Sequence, residues 1–313
     1  MNLFPKINPY KKQFLKVDNN HELYIEQVGN PDGIPIIFLH GGPGAGLNEI
    51  YRQYFNPNIY RIILFDQRGS GQSKPCASVE NNTTQMLIED IRKVADELNL
   101  KKFILYGGSW GTTLALLYAQ EYPETIYSLV LRGVFLCRKK DINWFYQNGA
   151  SEIFPDQWIK FTKDIPNEEH GDFLEAYHTR IHSNDDNESK KFSKQWAEWE
   201  GCCSTLLPSK QVVKQFSDCA VSLSKIETHY FKNNSFIHEN QILENIKKIK
   251  HLKTFIVHGR YDVVCPINQA YDLHQVHQNS ELFIIEDAGH SLLENGITSK
   301  ILEIFNEANK LYG

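Results

Sequence analysis

Gly107-Gly108-Ser109-Trp110-Gly111 sets a serine among glycines. Where a strand turns sharply into a helix, this G-x-S-x-G pattern exposes a hydroxyl as a nucleophile. Glycines suit a turn too tight for side chains, and the first N–H groups of the following helix point at the space around the oxygen. Alone, the five residues could equally be a plain glycine-rich turn. A serine hydroxyl is a weak nucleophile at neutral pH, so it needs a base for its proton and a third group to fix that base's tautomer. Both follow in the chain order Ser, Asp, His. Asp262 ends Gly259-Arg260-Tyr261-Asp262 after the apolar run 254–258, and His290 ends Ala288-Gly289-His290 after the run 282–285. Of the 12 histidines, His290 is the one that Ala-Gly precedes after a strand-like run. The competing reading of Asp262 is an ordinary turn residue.

Acyl transfer at such a serine builds an oxyanion that backbone donors must stabilise. His40-Gly41-Gly42-Pro43-Gly44 follows the run 34–39, where the second donor would belong, so the N–H groups of Gly42 and Trp110 are assigned to it. A phosphate cradle is the other reading of this loop. It lacks the Lys-Ser/Thr of a P-loop and the full dinucleotide fingerprint. Residues 66–73, rich in turn formers, are expected to brace the site rather than react.

The elements that must position these residues show in the hydrophobic period. Residues 21–28, 34–39, 61–65, 102–106 and 128–131 read as strands, and 84–98 and 112–121 as helices. That alternation implies a mostly parallel central sheet flanked by helices, an α/β fold. After Arg132 the rhythm changes. Residues 137–245 read as amphipathic helices rich in aromatics, broken by the polar segment 183–190, with no convincing strand. Strand 254–258, helix 268–277, strand 282–285 and helix 297–311 then resume the pattern. The expected division is a core of 1–136 and 246–313 carrying a helical cap of 137–245 over the carboxyl ends of the strands, where open α/β sheets bind ligands.

Composition narrows the function classes. With 313 residues, 41% hydrophobic, 23% charged and a net charge of -5, the chain can bury a large core and presents no basic tract for nucleic acid or anionic membranes. Lys247, Lys248, Lys250 and Lys253 interleave with apolar residues and read as the wet face of a short helix. No secretory leader is apparent, and no apolar stretch reaches the ~18 residues of a membrane span. The six cysteines have no C-x-x-C or metal-like spacing. Reduced thiols in a cytoplasmic protein are expected, with Cys202 and Cys203 as small buried residues and neither metal nor cofactor required.

Together these segments, with Thr112-Thr113-Leu114-Ala115-Leu116, Leu131-Arg132-Gly133 and Trp196-Ala197-Glu198-Trp199-Glu200-Gly201, closely resemble the proline iminopeptidase family of α/β-hydrolases over nearly the whole chain. The resemblance implies the α/β-hydrolase fold with an inserted helical cap, and removal of N-terminal proline from peptides with a free amino terminus. It implies further that cap glutamates hold that amino group, at the matching positions Glu200 and Glu227; by sequence alone either would pass for an exposed helical glutamate. Arg132, Phe135, Phe145 and Tyr146 match the wall around the proline ring, though the aromatics could equally be core packing. An esterase or small-amide hydrolase, and a non-catalytic binding protein of the same fold, remain alternatives. A homo-oligomer is also left open.

Overall fold

Every strand run read in the sequence is present, and one more precedes them. The structure, a computed structural model, describes residues 2–312. Its strands are β1 (Lys11–Lys16), β2 (Glu22–Gly29), β3 (Ile34–Leu39), β4 (Tyr60–Phe65), β5 (Phe103–Gly108), β6 (Ile126–Arg132), β7 (Lys253–Gly259) and β8 (Ser280–Ile285). They form one eight-stranded sheet in the order β1-β2-β4-β3-β5-β6-β7-β8. β2 runs antiparallel to β1 and β4, and all other pairs are parallel. β1, Lys-Lys-Gln-Phe-Leu-Lys, was not anticipated: it lies at the sheet edge, largely exposed, and carries no apolar stripe to betray it. Lysines on an edge strand discourage pairing with other chains.

Successive side chains of the central strands enter different cores. Ile37, Leu39, Phe103, Leu105, Leu129 and Leu131 pack on one face of the sheet, whereas Ile36, Phe38, Ile104, Tyr106 and Val130 pack on the other. Strands apolar on both sides need helices on both. On the first face lie α1 (Thr84–Glu97) and α2 (Trp110–Glu121). α1 starts where the Thr83 side chain accepts the Met86 N–H, and it buries Leu87, Ile91 and Val94. α2 is buried almost all round, the mark of a helix inside the protein.

No residue of 133–252 lies in a strand. This stretch holds α3 (Lys139–Tyr146), α4 (Ala150–Ile153), α5 (Pro155–Thr162), α6 (Phe173–Ile181), α7 (Asp186–Cys203), α8 (Lys210–Asp218), α9 (Ala220–Lys232) and α10 (Gln241–Glu244). The polar segment 183–190 is not a break throughout: Asp185 accepts the Asn187 N–H and so starts α7, whose first turn supplies the rest. α10 returns to the sheet layers, where Gln120 Nε2 donates to the Ile242 carbonyl. The lysine-rich segment follows as a short 3-10 turn, Ile246–Ile249, with both isoleucines buried and Lys247 and Lys248 exposed. The chain ends with α11 (Asn268–Val276) and α12 (Asn295–Tyr312), Phe305 of the latter packing edge-on against Phe55 beneath the second face. Because β3 and β5 to β8 are parallel, the loops after β3, β5, β6, β7 and β8 gather at one edge.

Candidate active site

Ser109 stands between β5 and α2 with φ 56° and ψ -124°, a conformation that a residue with a β-carbon rarely adopts. Such strain costs about 1–3 kcal/mol and persists only where the surroundings enforce it. Here the Ser109 N–H donates to the Arg132 carbonyl at 2.9 Å, while the Thr112 N–H and hydroxyl both donate to the Ser109 carbonyl at 2.7 Å. The preceding Gly107 is obligatory, since a β-carbon there would sit 2.2 Å from the Gly111 carbonyl oxygen.

Asp262 and His290 meet as the chain order implies. His290 Nδ1 lies 2.7 Å from Asp262 Oδ2, and the other carboxylate oxygen accepts the Cys265 N–H at 2.8 Å. Burial pushes the Asp262 carboxyl up, but the facing His290, the nearby His258 and the Cys265 N–H outweigh it and hold it below its ordinary value. Asp262 is therefore ionised and takes a proton donor from Nδ1, which leaves a lone pair on Nε2. His258, missed in the sequence because it ends an apolar strand, lies under this pair. Its Nε2 donates to the Cys265 carbonyl at 2.7 Å and stands 3.3 Å from Asp262 Oδ2, while Nδ1 accepts the Val134 N–H. Burial depresses its basicity despite the carboxylate, so it serves as a neutral brace.

Among the described residues no hydrogen bond joins Nε2 to the serine. Nε2 accepts from Arg132 Nη1 at 3.2 Å, and that Nη1 also donates to the His290 carbonyl at 2.8 Å. Among the described residues Ser109 Oγ has no hydrogen-bond partner. Catalytic hydrogen bonds are often incomplete before substrate arrives. Arg132 thus stands with His290, apart from Phe135, Phe145 and Tyr146; its place at the last residue of β6, beside Gly108 in register, explains this.

The loop 40–44 is held through a relay of side chains. Trp110 Nε1 donates to Gln67 Oε1, Gln67 Nε2 to the His40 carbonyl, and the Gln67 N–H to His40 Nε2. His40 Nδ1 then donates to the Gly41 carbonyl, a tautomer set by the Gln67 N–H on Nε2, while burial lowers the His40 pKa to about 4 and keeps the ring neutral. Gly41 and Gly42 line one cavity with Ser109, and among the described residues neither the Gly42 nor the Trp110 N–H finds an acceptor. Asp66 accepts the N–H groups of Leu47 and Gln72, so residues of 66–73 fix this loop from behind.

A further cavity beside Ser109 contains Glu200 of α7, Glu227 of α9, Phe135, Phe145 and Tyr146. Both glutamates are buried, at 5% and 1% exposure, and so are not the surface residues that their local sequence allowed. Trp196 Nε1 donates to Glu227 Oε2 at 2.6 Å, whereas Glu200 Oε2 is buried without a partner. Burial raises the Glu200 carboxyl to about 7; burial and then the charge of Glu200 push Glu227 well above its ordinary value. Two acids thus face one cavity, and their raised values favour a proton on the pair. Tyr146 stacks on Trp196 at 4.0 Å, and Phe135 meets Phe231 edge-on at 5.9 Å. Phe231 and Cys265 complete the wall. Phe231 lies four residues after Glu227, one helical turn away, which the sequence could have suggested. Among the described residues no cluster of three or more His, Cys, Asp or Glu could hold a metal ion.

Residues 34–297 match the α/β hydrolase fold family. A proline iminopeptidase of Arabidopsis thaliana is 46% identical over 312 residues, 98% of this chain and 82% of that protein. The proline iminopeptidases of Xylella fastidiosa strain 9a5c and Neisseria gonorrhoeae are 45% and 40% identical, covering 93% and 94% of this chain and 94% and 95% of theirs. Among solved structures, an esterase from Exiguobacterium antarcticum superimposes with a TM-score of 0.67 at 22% identity, covering 96% of this chain and 100% of the esterase. A bromoperoxidase from Bacillus anthracis also gives 0.67, at 20% identity over 96% and 99% of the two chains. At such identities these two speak for the fold alone. With its sheet order, its serine turn and its relatives in agreement, the chain belongs to the proline iminopeptidase family of α/β-hydrolases.

Proposed function

We propose that the protein is a serine aminopeptidase that releases N-terminal proline from peptides, with Ser109, His290 and Asp262 as its catalytic triad. The observation that carries the reading is the pair of buried acids, Glu200 and Glu227, in an aromatic-walled cavity that also contains Ser109. A protonated proline nitrogen would sit between the two carboxyls with its ring against Phe135, Phe145 and Tyr146. That nitrogen has two N–H bonds, which two carboxyls satisfy, whereas a primary ammonium brings a third donor needing another partner in the same dry pocket.

Ser109 Oγ attacks the prolyl carbonyl as its proton passes to His290 Nε2, and Asp262 stabilises the imidazolium. The N–H groups of Gly42 and Trp110 receive the oxyanion. As the C–N bond breaks, Nε2 returns the proton to the leaving amine. Water then attacks the prolyl ester with His290 again as base, releasing proline and restoring the hydroxyl. Residues 137–245 act as the cap that brings Glu200 and Glu227 over the serine.

Nothing in this cycle asks for a cofactor. A cytoplasmic setting is proposed from the six free cysteines. Among the described residues no helix is long and apolar enough to cross a membrane. The test is hydrolysis of prolyl-, alanyl- and acetylprolyl-arylamides by the purified protein. Fast release from prolyl-arylamide alone supports the reading, and equal rates on the acetylated compound would overturn it.

A further inference from the structure

Two cavities meet at Ser109. Both contain Gly42, Ser109 and Glu200, but Glu227 and the aromatic wall belong only to the first, Arg132 and His290 only to the second. A substrate with its amino group in the first and its scissile carbonyl at Ser109 must send its leaving portion into the second. Tyr51, Phe216, Leu292 and Leu293 give that second cavity an apolar lining.

Half-buried Arg132 differs from the buried arginines. Arg52, Arg68 and Arg138 each hold a carboxylate at 2.6 to 2.8 Å. Arg132 forms no ion pair among the described residues, and its Nε is buried without a partner. Its guanidinium lies against the backbone next to the nucleophile, where a β-carbon on Gly108 would come within 2.5 Å of Nη2. The site therefore has a pair of buried carboxyls in one cavity and, in the other, a guanidinium that no carboxylate meets among the described residues.

We infer that Arg132 reads the free carboxylate of a dipeptide, so that the favoured substrate is Pro-X with an apolar X. This rests on the proline reading above. In Pro-X the carboxylate is separated from the leaving nitrogen by one carbon, and that nitrogen must come within hydrogen-bond reach of His290 Nε2 to be protonated. Arg132 Nη1 is 3.2 Å from that same Nε2. Each further residue moves the carboxylate on by up to ~3.3–3.6 Å and puts a neutral amide carbonyl in its place. A carboxylate is also a stronger acceptor for a guanidinium than an imidazole nitrogen. It draws Nη1 away from Nε2 and returns that lone pair to the proton of Ser109. The zwitterion thereby completes the site at both ends, and its carboxylate is felt in kcat as well as in KM.

Rates on Pro-Leu and Pro-Leu-NH2, which differ only in the terminal charge, test this directly, with prolyl-arylamide as a separate measure of proline specificity. Pro-Leu is expected to be cleaved roughly 10- to 100-fold faster in kcat/KM, the scale of one charge-assisted hydrogen bond, and the preference should shrink as salt rises. R132Q should bring the ratio to about one whatever its absolute rates, because the carboxylate then has no cation to meet. A wild-type ratio at or below one, or a ratio that survives in R132Q, overturns the assignment. If R132Q does not fold, the wild-type ratio and its salt dependence decide. A wild type that cleaves prolyl-arylamide without favouring the free carboxylate defeats this inference alone; one that fails on every prolyl substrate defeats the proline reading as well.

Discussion

The backbone carbonyl of Ser204, the residue that follows α7, accepts the N–H of His290 at 3.1 Å and that of Ser291 at 2.8 Å. Glu200 lies one turn earlier on the same helix, and its carbonyl accepts the Ser204 hydroxyl. The helix that carries Glu200, proposed to hold the substrate amine, thus also anchors the loop of His290, the proposed base. Glu294 reinforces the joint, with one oxygen accepting the Leu206 N–H at 2.7 Å and the other the Gly289 N–H.

Glu294→Gln is expected to loosen that joint, because its amide offers only one accepting atom to two N–H groups. Leaving a buried donor unpaired costs about 1–3 kcal/mol. Activity on a prolyl amide and on a small activated ester should fall together, with a lower melting temperature. Kinetics on both substrates and a thermal melt check this; loss confined to the amide would place Glu294 with the amine pocket instead.

Ser109→Ala should leave a folded protein whose kcat is lower by roughly 10⁴ to 10⁶. Intact-mass analysis after fluorophosphonate treatment should show an adduct on the wild type and none on the variant. Near-normal turnover by S109A would remove the serine from the mechanism.

In Asp262→Asn the amide presents an N–H or a weaker acceptor to His290, and a loss of about 10⁴ in kcat is expected from the wrong tautomer. Neighbouring carboxylates offer no rescue. Glu286 is exposed and paired with Arg260 at 2.9 Å, and Asp287 makes no hydrogen bond to the histidine among the described residues. Retention of most of the kcat in D262N would require another orienting group.

Glu200→Gln and Glu227→Gln should each cut turnover of prolyl-arylamide while sparing the reaction of Ser109 with a small ester. Removing one partner from a buried ion pair costs ~3–5 kcal/mol, or roughly two to four decades in kcat/KM. Equal losses on amide and ester would indicate general damage.

The pH dependence follows from the same pair. The Glu200 carboxyl titrates near 7 in the fold against an ordinary value of 4.5. Because the fold raises this pKa, the stability the group contributes is fully present below the ordinary value and is lost as pH rises through about 7. The unliganded protein should therefore melt at a lower temperature at pH 8 than at pH 5.5 by an increment that Glu200→Gln removes. Over the same range kcat/KM for prolyl-arylamide should rise as the carboxylate that holds the ammonium forms. A melting curve series on wild type and E200Q, with a pH–rate profile, reads both.

Much of this was legible along the chain. The serine turn, the order Ser, Asp, His, and the strand and helix periods are local patterns, and the steric reasons for them act within a few residues: Gly107 fails with any β-carbon, and α1 buries what its period says it must. β1 escaped because its six residues are half charged and acquire strand form only from the ladder with β2, Lys11 opposite Gln27 through Lys16 opposite Glu22. Glu200 and Glu227 were placed by resemblance, and their burial against each other needed α7 and α9 packed together; a glutamate on a helix carries no local mark of whether its face will meet water or another carboxyl. The position of Arg132 on His290, the bond from the Val134 N–H to His258 and the hold of Ser204 on His290 join residues 158, 124 and 86 positions apart respectively, and each depends on which loops the parallel sheet gathers at one edge. Sequence period records what each segment must bury, while the pairing of polar groups across segments is decided only when packing excludes water and leaves each donor and charge to find its partner in the fold.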